Sequence, residues 1–253
     1  MAVLWQKIDN GVSYEVRAAG QTRRLYTNGV FHSQYNPNKL LTGGVWDLLM
    51  LPAFFYPLGH IKRVLILGVG GGAVIHQLQK YVRPRHIDGV ELSATHLHIA
   101  KKYFAVRKSD AALYQADARE WVRKYRGPRF DMIIDDLFGE QDGEPVRAVA
   151  ASATWVRQLL RLLTPEGLIV SNFISHKELK TSAYIQNPLI RQRFIKAFVV
   201  SHPLEENAVA AFMRRNTTYK EFAMHLSAEP ALFRAWQARK LCVGPRVIKQ
   251  ICI

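Results

Sequence analysis

The sequence contains only two cysteines in 253 residues, Cys242 and Cys252. Two thiols near one end form neither a disulfide framework nor a zinc-ligand pattern, so we expect both to be reduced. The first residues lack the basic and then apolar layout of a secretory signal. The longest apolar stretch, residues 45–58, contains one aspartate and two prolines and is too short to span a bilayer. We therefore expect a cytoplasmic protein without a membrane partner.

Acidic residues are few compared with basic ones. The chain carries 35 Lys and Arg against 20 Asp and Glu, a formal net charge of +15 at pH 7. Residues 151–253 hold 15 basic and 6 acidic residues and so supply +9 of this excess (15 − 6). The basic residues are dispersed over predicted helices. This pattern favours a solvated basic face or a surface for an acidic partner such as nucleic acid, for which no motif is present.

The first 41 residues are typical of short strands. Apolar and polar residues alternate in three segments between residues 3 and 35, and Gly or Asn-Gly positions separate them. Asn28-Gly29 divides the third segment again. We predict a small antiparallel β domain over residues 1–41.

From residue 42 onward, predicted strands and helices alternate. A helix begins near residue 44, and apolar strands follow at 63–69, 86–92, 111–117, 130–136 and 168–173. This order predicts a Rossmann-like α/β domain over residues 42–253, with an open parallel sheet covered by helices on both faces. Two further segments add an antiparallel C-terminal strand pair, giving a seven-stranded sheet.

A glycine-rich turn follows the first of these strands, in the sequence VLILGVGGGA over residues 64–73. Glycines allow a tight turn and a close approach to a ligand, and free N–H groups at a helix start favour negative charge. We expect the floor of a cofactor site here, formed by Gly68, Val69, Gly70 and Gly72.

Acidic residues end the next three strands. Glu91 ends the second strand, Asp117 the third, and Asp135 and Asp136 the fourth. The carboxyl ends of parallel strands face one crevice, so these carboxylates are expected to converge. Glu91 suits ribose hydroxyls, and Asp117 suits an adenine amino group. With a single mononucleotide half and a closing antiparallel pair, the layout favours S-adenosylmethionine over NAD and resembles the class I methyltransferase fold.

Between about residues 10 and 215 the chain also resembles the spermidine synthase family. Its motifs occur in order as LYTNGVFHSQ, RVLILGVGGGA, GVELSATHLHIAKKYF, YQADAREWV and FDMIIDDLFGEQDGEP. The resemblance implies a dimer or tetramer joined by the small β domain. It also implies a set of donor-binding residues: Glu91, Leu92, Asp117, Ala118 and, in place of a family glutamine, His32.

Three positions depart from the polyamine-making members of the family. Their glycine motif carries an aspartate beside the donor's amine, and this chain has Gly71 there. Glycine removes the repulsion that an aspartate exerts on the carboxylate of S-adenosylmethionine. In the acceptor-binding helix the family acids are absent, and Trp46 replaces a tyrosine. After the fourth strand, the second aspartate of D-S-S-D-P falls on Gly139.

The sequence therefore predicts a spermidine-synthase-like transferase that uses S-adenosylmethionine. Methylation of an unidentified acceptor is the favoured reaction, and the basic surface suggests an acidic acceptor. Asp136 is the predicted catalytic residue, since it can accept a proton from the nucleophile or hold it in line. Trp46, Asp135 and Phe138 are the predicted acceptor pocket. Two alternatives stay open: aminopropyl transfer from decarboxylated S-adenosylmethionine, and a catalytically silent basic scaffold that binds nucleic acid or an acidic protein.

No metal is expected. His96 and His98 are two residues apart on a predicted helix and therefore point to different faces, which makes them a poor pair of ligands.

Overall fold

The computed structural model describes residues 1–141, 144–202, 206–241 and 245–251, so Cys242 and Cys252 lie outside the described residues. Four N-terminal strands form an antiparallel sheet in chain order. They are β1 (Ala2–Asp9), β2 (Val12–Ala19), β3 (Thr22–Thr27) and β4 (Val30–Tyr35). This sheet confirms the predicted small β unit.

A large mixed sheet follows. In chain order the next strands are β5 (Arg63–Leu67), β6 (His86–Glu91), β7 (Ala112–Gln115), β8 (Phe130–Asp135), β9 (Phe138–Gln141), β10 (Glu144–Arg147), β11 (Leu163–Phe173), β12 (Lys196–Val200), β13 (Ala208–Met213) and β14 (Arg246–Val247). The large sheet has the order β14-β12-β13-β11-β8-β5-β6-β7, and β9 pairs with β10 alone. Strands β5 to β8 and β11 are parallel, and β12 to β14 pair antiparallel.

Helices lie between the strands. They are α1 (Val45–Met50), α2 (Ala73–Gln77), α3 (Ala94–Lys102), α4 (Ala118–Lys124), α5 (Ala153–Leu162), α6 (His176–Thr181), α7 (Ala183–Gln186), α8 (Pro188–Arg191), α9 (Tyr219–Ser227) and α10 (Pro230–Gln237). Short 3-10 turns follow at Leu51–Phe55 and Lys249–Ile251, and a π turn at Leu78–Val82. In the part of the chain that the structure describes, no helix has the length and apolar character needed to cross a membrane.

The large sheet is buried on both faces, which explains its continuous apolar strands. Along β5, Val64 and Ile66 pack into the core on one face. Leu65 and Leu67 pack into the core on the other face. A third and smaller apolar cluster joins the N-terminal sheet to the large sheet's helices, since Val16 and Leu25 pack against Ile99 and Phe104. The two sheets are thereby held against each other.

The α/β fold agrees with the prediction, and two additions were not predicted. Strand β14 pairs with β12 and makes eight strands rather than seven. The antiparallel pair β9–β10 forms in a segment for which we predicted no regular structure. Asp142-Gly143 between the two strands is a two-residue turn signal, but the strands are short and of mixed composition, without the alternation that would have marked them.

Candidate active site

A cavity of about 590 Å³ lies at the carboxyl ends of β5 to β8, where β4 of the N-terminal sheet faces the large sheet. Eleven of the thirteen predicted site residues line it. They are His32, Trp46, Gly68, Val69, Gly70, Glu91, Leu92, Asp117, Ala118, Asp136 and Phe138. Gly72 and Asp135 lie outside its walls.

The glycine turn brings the ends of two strands unusually close. Gly68 has a φ of +88°, and a Cβ on it would collide with the carbonyl oxygen of Asp136. The N–H of Gly68 donates to the Val90 carbonyl at 2.9 Å, and the N–H of Asp136 donates to the Leu67 carbonyl at 2.9 Å. Only glycine fits this crossing. The turn therefore places the Asp136 side chain beside the cofactor floor.

Two glycines of the turn face protein rather than the cavity. A Cβ on Gly71 would lie 2.6 Å from Phe104 Cε1 and 2.8 Å from Ser33 Cβ. The space that an aspartate would need there is filled. Gly72 leads into α2, and a Cβ on it would lie 2.7 Å from Val106 Cγ2. We therefore correct the prediction that Gly72 forms part of the cofactor floor.

Glu91 is buried at the end of β6 and is held by backbone donors. Its Oε2 accepts hydrogen bonds from the N–H groups of Val69 (3.0 Å) and Gly70 (2.9 Å), and its Oε1 accepts one from Ser93 (2.9 Å). Burial acts to raise the pKa of Glu91, but His96 and these N–H groups outweigh it, so the pKa is lowered. The carboxylate is thus ionised and fixed, with lone pairs left for a ligand.

Two histidines stand beside Glu91, and sequence reasoning gave a role to only one. His96 is buried, its Nε2 lies 2.8 Å from Thr27 Oγ1 and its Nδ1 lies 3.6 Å from Glu91 Oε1. The rings of His96 and His32 are 5.4 Å apart. Burial, with a smaller contribution from His96, lowers the pKa of His32 to about 4, so His32 is neutral at pH 7. His32 Nε2 and Ser33 Oγ are buried polar atoms without a hydrogen-bond partner among the described residues.

Asp117 caps α4 at the adenine side predicted for the cavity. Its carboxylate accepts from the N–H groups of Arg119 (2.7 Å) and Glu120 (3.3 Å), and from Arg119 Nη2 at 2.8 Å. The Arg119 hydrogen bond lowers the pKa of Asp117 to about 2. Both Leu92, which is exposed, and Ala118, which is buried, lie in the same wall.

Asp136 is the carboxylate best prepared to accept a proton. Its Oδ1 accepts a hydrogen bond from Asn172 Nδ2 at 2.8 Å, and Asn172 Oδ1 accepts one from Asn207 Nδ2 at 3.0 Å. Burial raises the pKa of Asp136 to about 6, against the lowering effects of Asn172 and Arg147. A carboxylate with a pKa near neutrality in a cavity wall suits general base catalysis.

Asp135 is a structural acid, which corrects its predicted place in the acceptor pocket. Its side chain is fully buried behind the sheet. Oδ2 accepts hydrogen bonds from Arg147 Nη2 at 2.8 Å and Trp155 Nε1 at 3.2 Å. Asp135 is the last residue of β8 and is held by these buried partners, whereas Asp136 follows the strand and lines the cavity.

The remaining wall is aromatic. Trp46 of α1 packs edge-on against Phe31 of β4, with ring centroids 5.1 Å apart, and Phe138 of β9 also lines the cavity. Asp47 does not reach it: the buried carboxylate accepts hydrogen bonds from Thr42 N (2.9 Å) and Gly43 N (2.8 Å). Asp47, the acid that lies nearest to the absent acids of the family's acceptor-binding helix, therefore stabilises the loop before α1.

The cavity is acidic although the protein is basic. Among the described residues, five carboxylates and two guanidinium groups line it, namely Glu91, Asp117, Asp136, Glu144 and Glu206 against Arg24 and Arg119. Sequence reasoning missed Glu144, the first residue of β10, and Glu206, because neither follows one of the parallel strands. Within the described ranges, no three His, Cys, Asp or Glu side chains come together as a metal site requires.

The family model described as the spermine/spermidine synthase domain matches residues 47–209, well over half of the chain. The chain belongs to the spermine/spermidine synthase family. This confirms the resemblance drawn from the motifs.

Comparisons with individual proteins agree in fold. The polyamine aminopropyltransferase 2 of Caldanaerobacter subterraneus is 33% identical over 150 residues, covering 58% of this chain and 46% of that protein. A probable spermidine synthase from Corynebacterium glutamicum superposes with a TM-score of 0.72 at 17% identity, over 92% and 87% of the two chains. Human methyltransferase-like protein 13, solved with SAH, gives 0.56 at 19% identity, over 77% and 87%. The chain spans about half the length of the curated relatives it matches, from 40% to 58% of the first three.

Proposed function

We propose that the protein is an aminopropyltransferase that moves the aminopropyl group of decarboxylated S-adenosylmethionine to a small amine. The observation that carries the proposal is the acidic cavity, five carboxylates against two guanidinium groups, in a protein of net charge +15. Both the donor and an amine acceptor are cations, which such a cavity attracts and an acidic acceptor would not match. The names of the curated relatives support this activity over methyl transfer, which the sequence favoured.

The reaction is an in-line displacement at carbon. The amine lone pair forms a C–N bond to the propyl carbon next to sulfur, and the C–S bond breaks with its electron pair going to sulfur. The sulfonium becomes the neutral thioether 5′-methylthioadenosine. The proton lost by the amine passes to Asp136, whose raised pKa of about 6 lets it take a proton near neutral pH. Asn172 holds that carboxylate in place.

The cavity wall formed by the glycine turn, Glu91, Asp117 and His32, here called the donor wall, fits a nucleoside. Glu91 is ionised and fixed beside the glycine turn, where a carboxylate can accept hydrogen bonds from ribose hydroxyls. His32 lines the same wall, and its buried Nε2 has no hydrogen-bond partner among the described residues.

Methyl transfer from S-adenosylmethionine is the second candidate, and Gly71 favours it. The aspartate that meets the donor's amine in the polyamine synthases resembled here has no counterpart in this chain, and Phe104 and Ser33 fill its space. Without that acid, the carboxylate of the full donor meets no like charge there.

The two activities leave different by-products, which gives a direct test. Purified protein is incubated with either donor and a series of diamines, and the nucleoside products are identified by mass spectrometry. We expect 5′-methylthioadenosine from the decarboxylated donor. S-adenosylhomocysteine formed from the full donor would replace the proposal by methyl transfer. Binding of both donors without turnover would favour the silent scaffold.

A further inference from the structure

The candidate ribose carboxylate is connected to the N-terminal sheet through one histidine. Thr27, the last residue of β3, places Oγ1 2.8 Å from His96 Nε2. His96 Nδ1 lies 3.6 Å from Glu91 Oε1, which is longer than a hydrogen bond, so that contact is electrostatic. Thr27, His96 and Glu91 thus form a connected series of side chains between the two sheets.

The surroundings of His96 restrict its ring. Its backbone N–H donates to the Ser93 hydroxyl at 3.1 Å, which fixes the start of α3. Tyr14 of β2 packs edge-on at 5.6 Å, and His32 lies on another side at 5.4 Å. The ring is buried among these groups. It therefore has one orientation, with one nitrogen toward each sheet.

The tautomer follows from the partners. The Glu91 carboxylate can only accept, so the ring proton lies on Nδ1, and the Thr27 hydroxyl then donates to Nε2 and fixes that tautomer. An N–H dipole pointing at Oε1 favours the ionised form and keeps the carboxylate from turning. The three backbone N–H groups hold the same carboxylate from the opposite side.

We propose that His96 is a positioning residue for the donor's ribose, acting through Glu91, and that Thr27 fixes its tautomer. The small N-terminal sheet thus takes part in holding the donor. The inference rests on the proposed function only in assuming that Glu91 meets ribose hydroxyls. It does not depend on which group is transferred, because both candidate donors carry the same nucleoside.

The test uses 5′-methylthioadenosine and its 2′-deoxy analogue, with affinities measured by calorimetry. His96→Phe removes both ring nitrogens and should weaken binding of the ribonucleoside about tenfold. It should leave the 2′-deoxy analogue nearly unchanged, because that ligand lacks a hydroxyl for Glu91. His96→Asn keeps a donor near the Nδ1 position and should stay within about threefold of the wild type.

Two further variants complete the design. Thr27→Val should weaken ribonucleoside binding about threefold, since the ring loses the partner that sets its tautomer. His98→Asn is the matched control on the same helix: His98 is exposed and faces Trp5 and Tyr103, and its substitution should change neither affinity. Thermal unfolding of each variant verifies that it is folded.

The outcomes separate the two proposals. Equal losses for both nucleosides in His96→Phe and Thr27→Val would overturn the positioning role and leave the proposed function intact. If His96→Phe does not fold, the ratio of the affinities for 5′-methylthioadenosine and its 2′-deoxy analogue in His96→Asn and Thr27→Val decides the question. A wild-type protein that binds neither nucleoside would overturn the proposed function and this inference together.

Discussion

Gly71 lies in the glycine turn beside the donor wall, and Gly139 lies in β9 beside the acceptor wall, which is formed by Trp46, Asp136 and Phe138. They occupy the two positions where the resemblance to polyamine synthases implies aspartates. Their surroundings differ. A Cβ on Gly71 would meet Phe104 and Ser33 at less than 3 Å, whereas one on Gly139 would meet no described atom within 4 Å. Other side chains fill the space beside Gly71, whereas no described atom fills the space beside Gly139.

The carboxylates of the two walls differ in the same way. On the donor wall, Glu91 is held by three backbone N–H groups and its pKa is lowered. On the acceptor wall, the Asp136 carboxylate accepts one hydrogen bond from the described residues, that of Asn172, and burial raises its pKa to about 6. The first arrangement suits permanent binding of a neutral sugar, and the second suits a group that gains and loses a proton.

The largest effect is expected on the acceptor wall. Asp136→Asn should lower kcat by about 10²–10⁴-fold, since the amide cannot take the proton of the amine. Affinity for 5′-methylthioadenosine should remain within about threefold, because the donor wall is untouched. Steady-state kinetics with the donor and calorimetry with the nucleoside measure the two quantities.

The adjacent acid is the control for that substitution. Asp135→Asn should act on stability, by about 2 kcal/mol, because it removes the closer of the two carboxylates that pair with the buried Arg147 guanidinium, leaving Glu178 at 3.4 Å. Denaturant unfolding measures this difference. If Asp136→Asn lost stability while keeping its rate, the two aspartates would have been assigned the wrong way round.

The next prediction tests how tightly the donor wall is closed. Gly71→Asp should lower the free energy of unfolding by about 3 kcal/mol, because the new side chain must displace Phe104 and Ser33. It should not improve binding of the decarboxylated donor, although it restores the family residue. Urea denaturation and donor titration measure both. A stable variant with tighter binding would show that the wall can open.

The pH dependence of the rate tests Asp136 as the base. Only the ionised carboxylate accepts a proton, so the rate should fall about tenfold for each pH unit below about 6. Asn172→Ala removes a hydrogen bond that lowers the pKa of Asp136, and should move the midpoint upward by about one pH unit. The acceptor's own titration is common to both proteins, so the displacement between the two profiles isolates Asp136. Coincident profiles would contradict the assignment.

Most of the fold could be predicted because local signals agreed with the tertiary structure. Apolar runs marked the buried strands, and the structure shows Ser93 and Asp117, both typical N-cap residues, capping the helices that follow. The pair β9–β10 was missed, although Asp142-Gly143 between its strands is a turn signal, because Gly139 and Pro145 are not typical of strands and residues 138–141 show no alternation.

The site was predicted where side chains follow strand ends, and missed where it depends on tertiary contacts. Asp135 ends β8 and Asp136 follows it, and the sequence does not show which of the two side chains reaches the cavity. The sequence analysis considered His96 only as a metal ligand and rejected it. The positioning role that we propose for His96 depends on its contact with Thr27, which is 69 residues away in sequence. Glu144 and Glu206 reach the cavity from outside the parallel strands.

The smallest expected effect concerns the open acceptor wall. Gly139→Asp restores the family's second aspartate where no described atom lies within 4 Å of the new Cβ, so stability should change by less than about 0.5 kcal/mol. An added carboxylate next to Phe138, which lines the cavity, should tighten diamine binding up to about fivefold, because an exposed ion pair contributes about 0.2–1 kcal/mol. The Michaelis constant for a diamine at low salt measures this gain, and Gly139→Asn is the uncharged control. If both variants behave alike, the acceptor does not carry a positive charge to this side of the cavity, and the asymmetry between the two glycines concerns space alone.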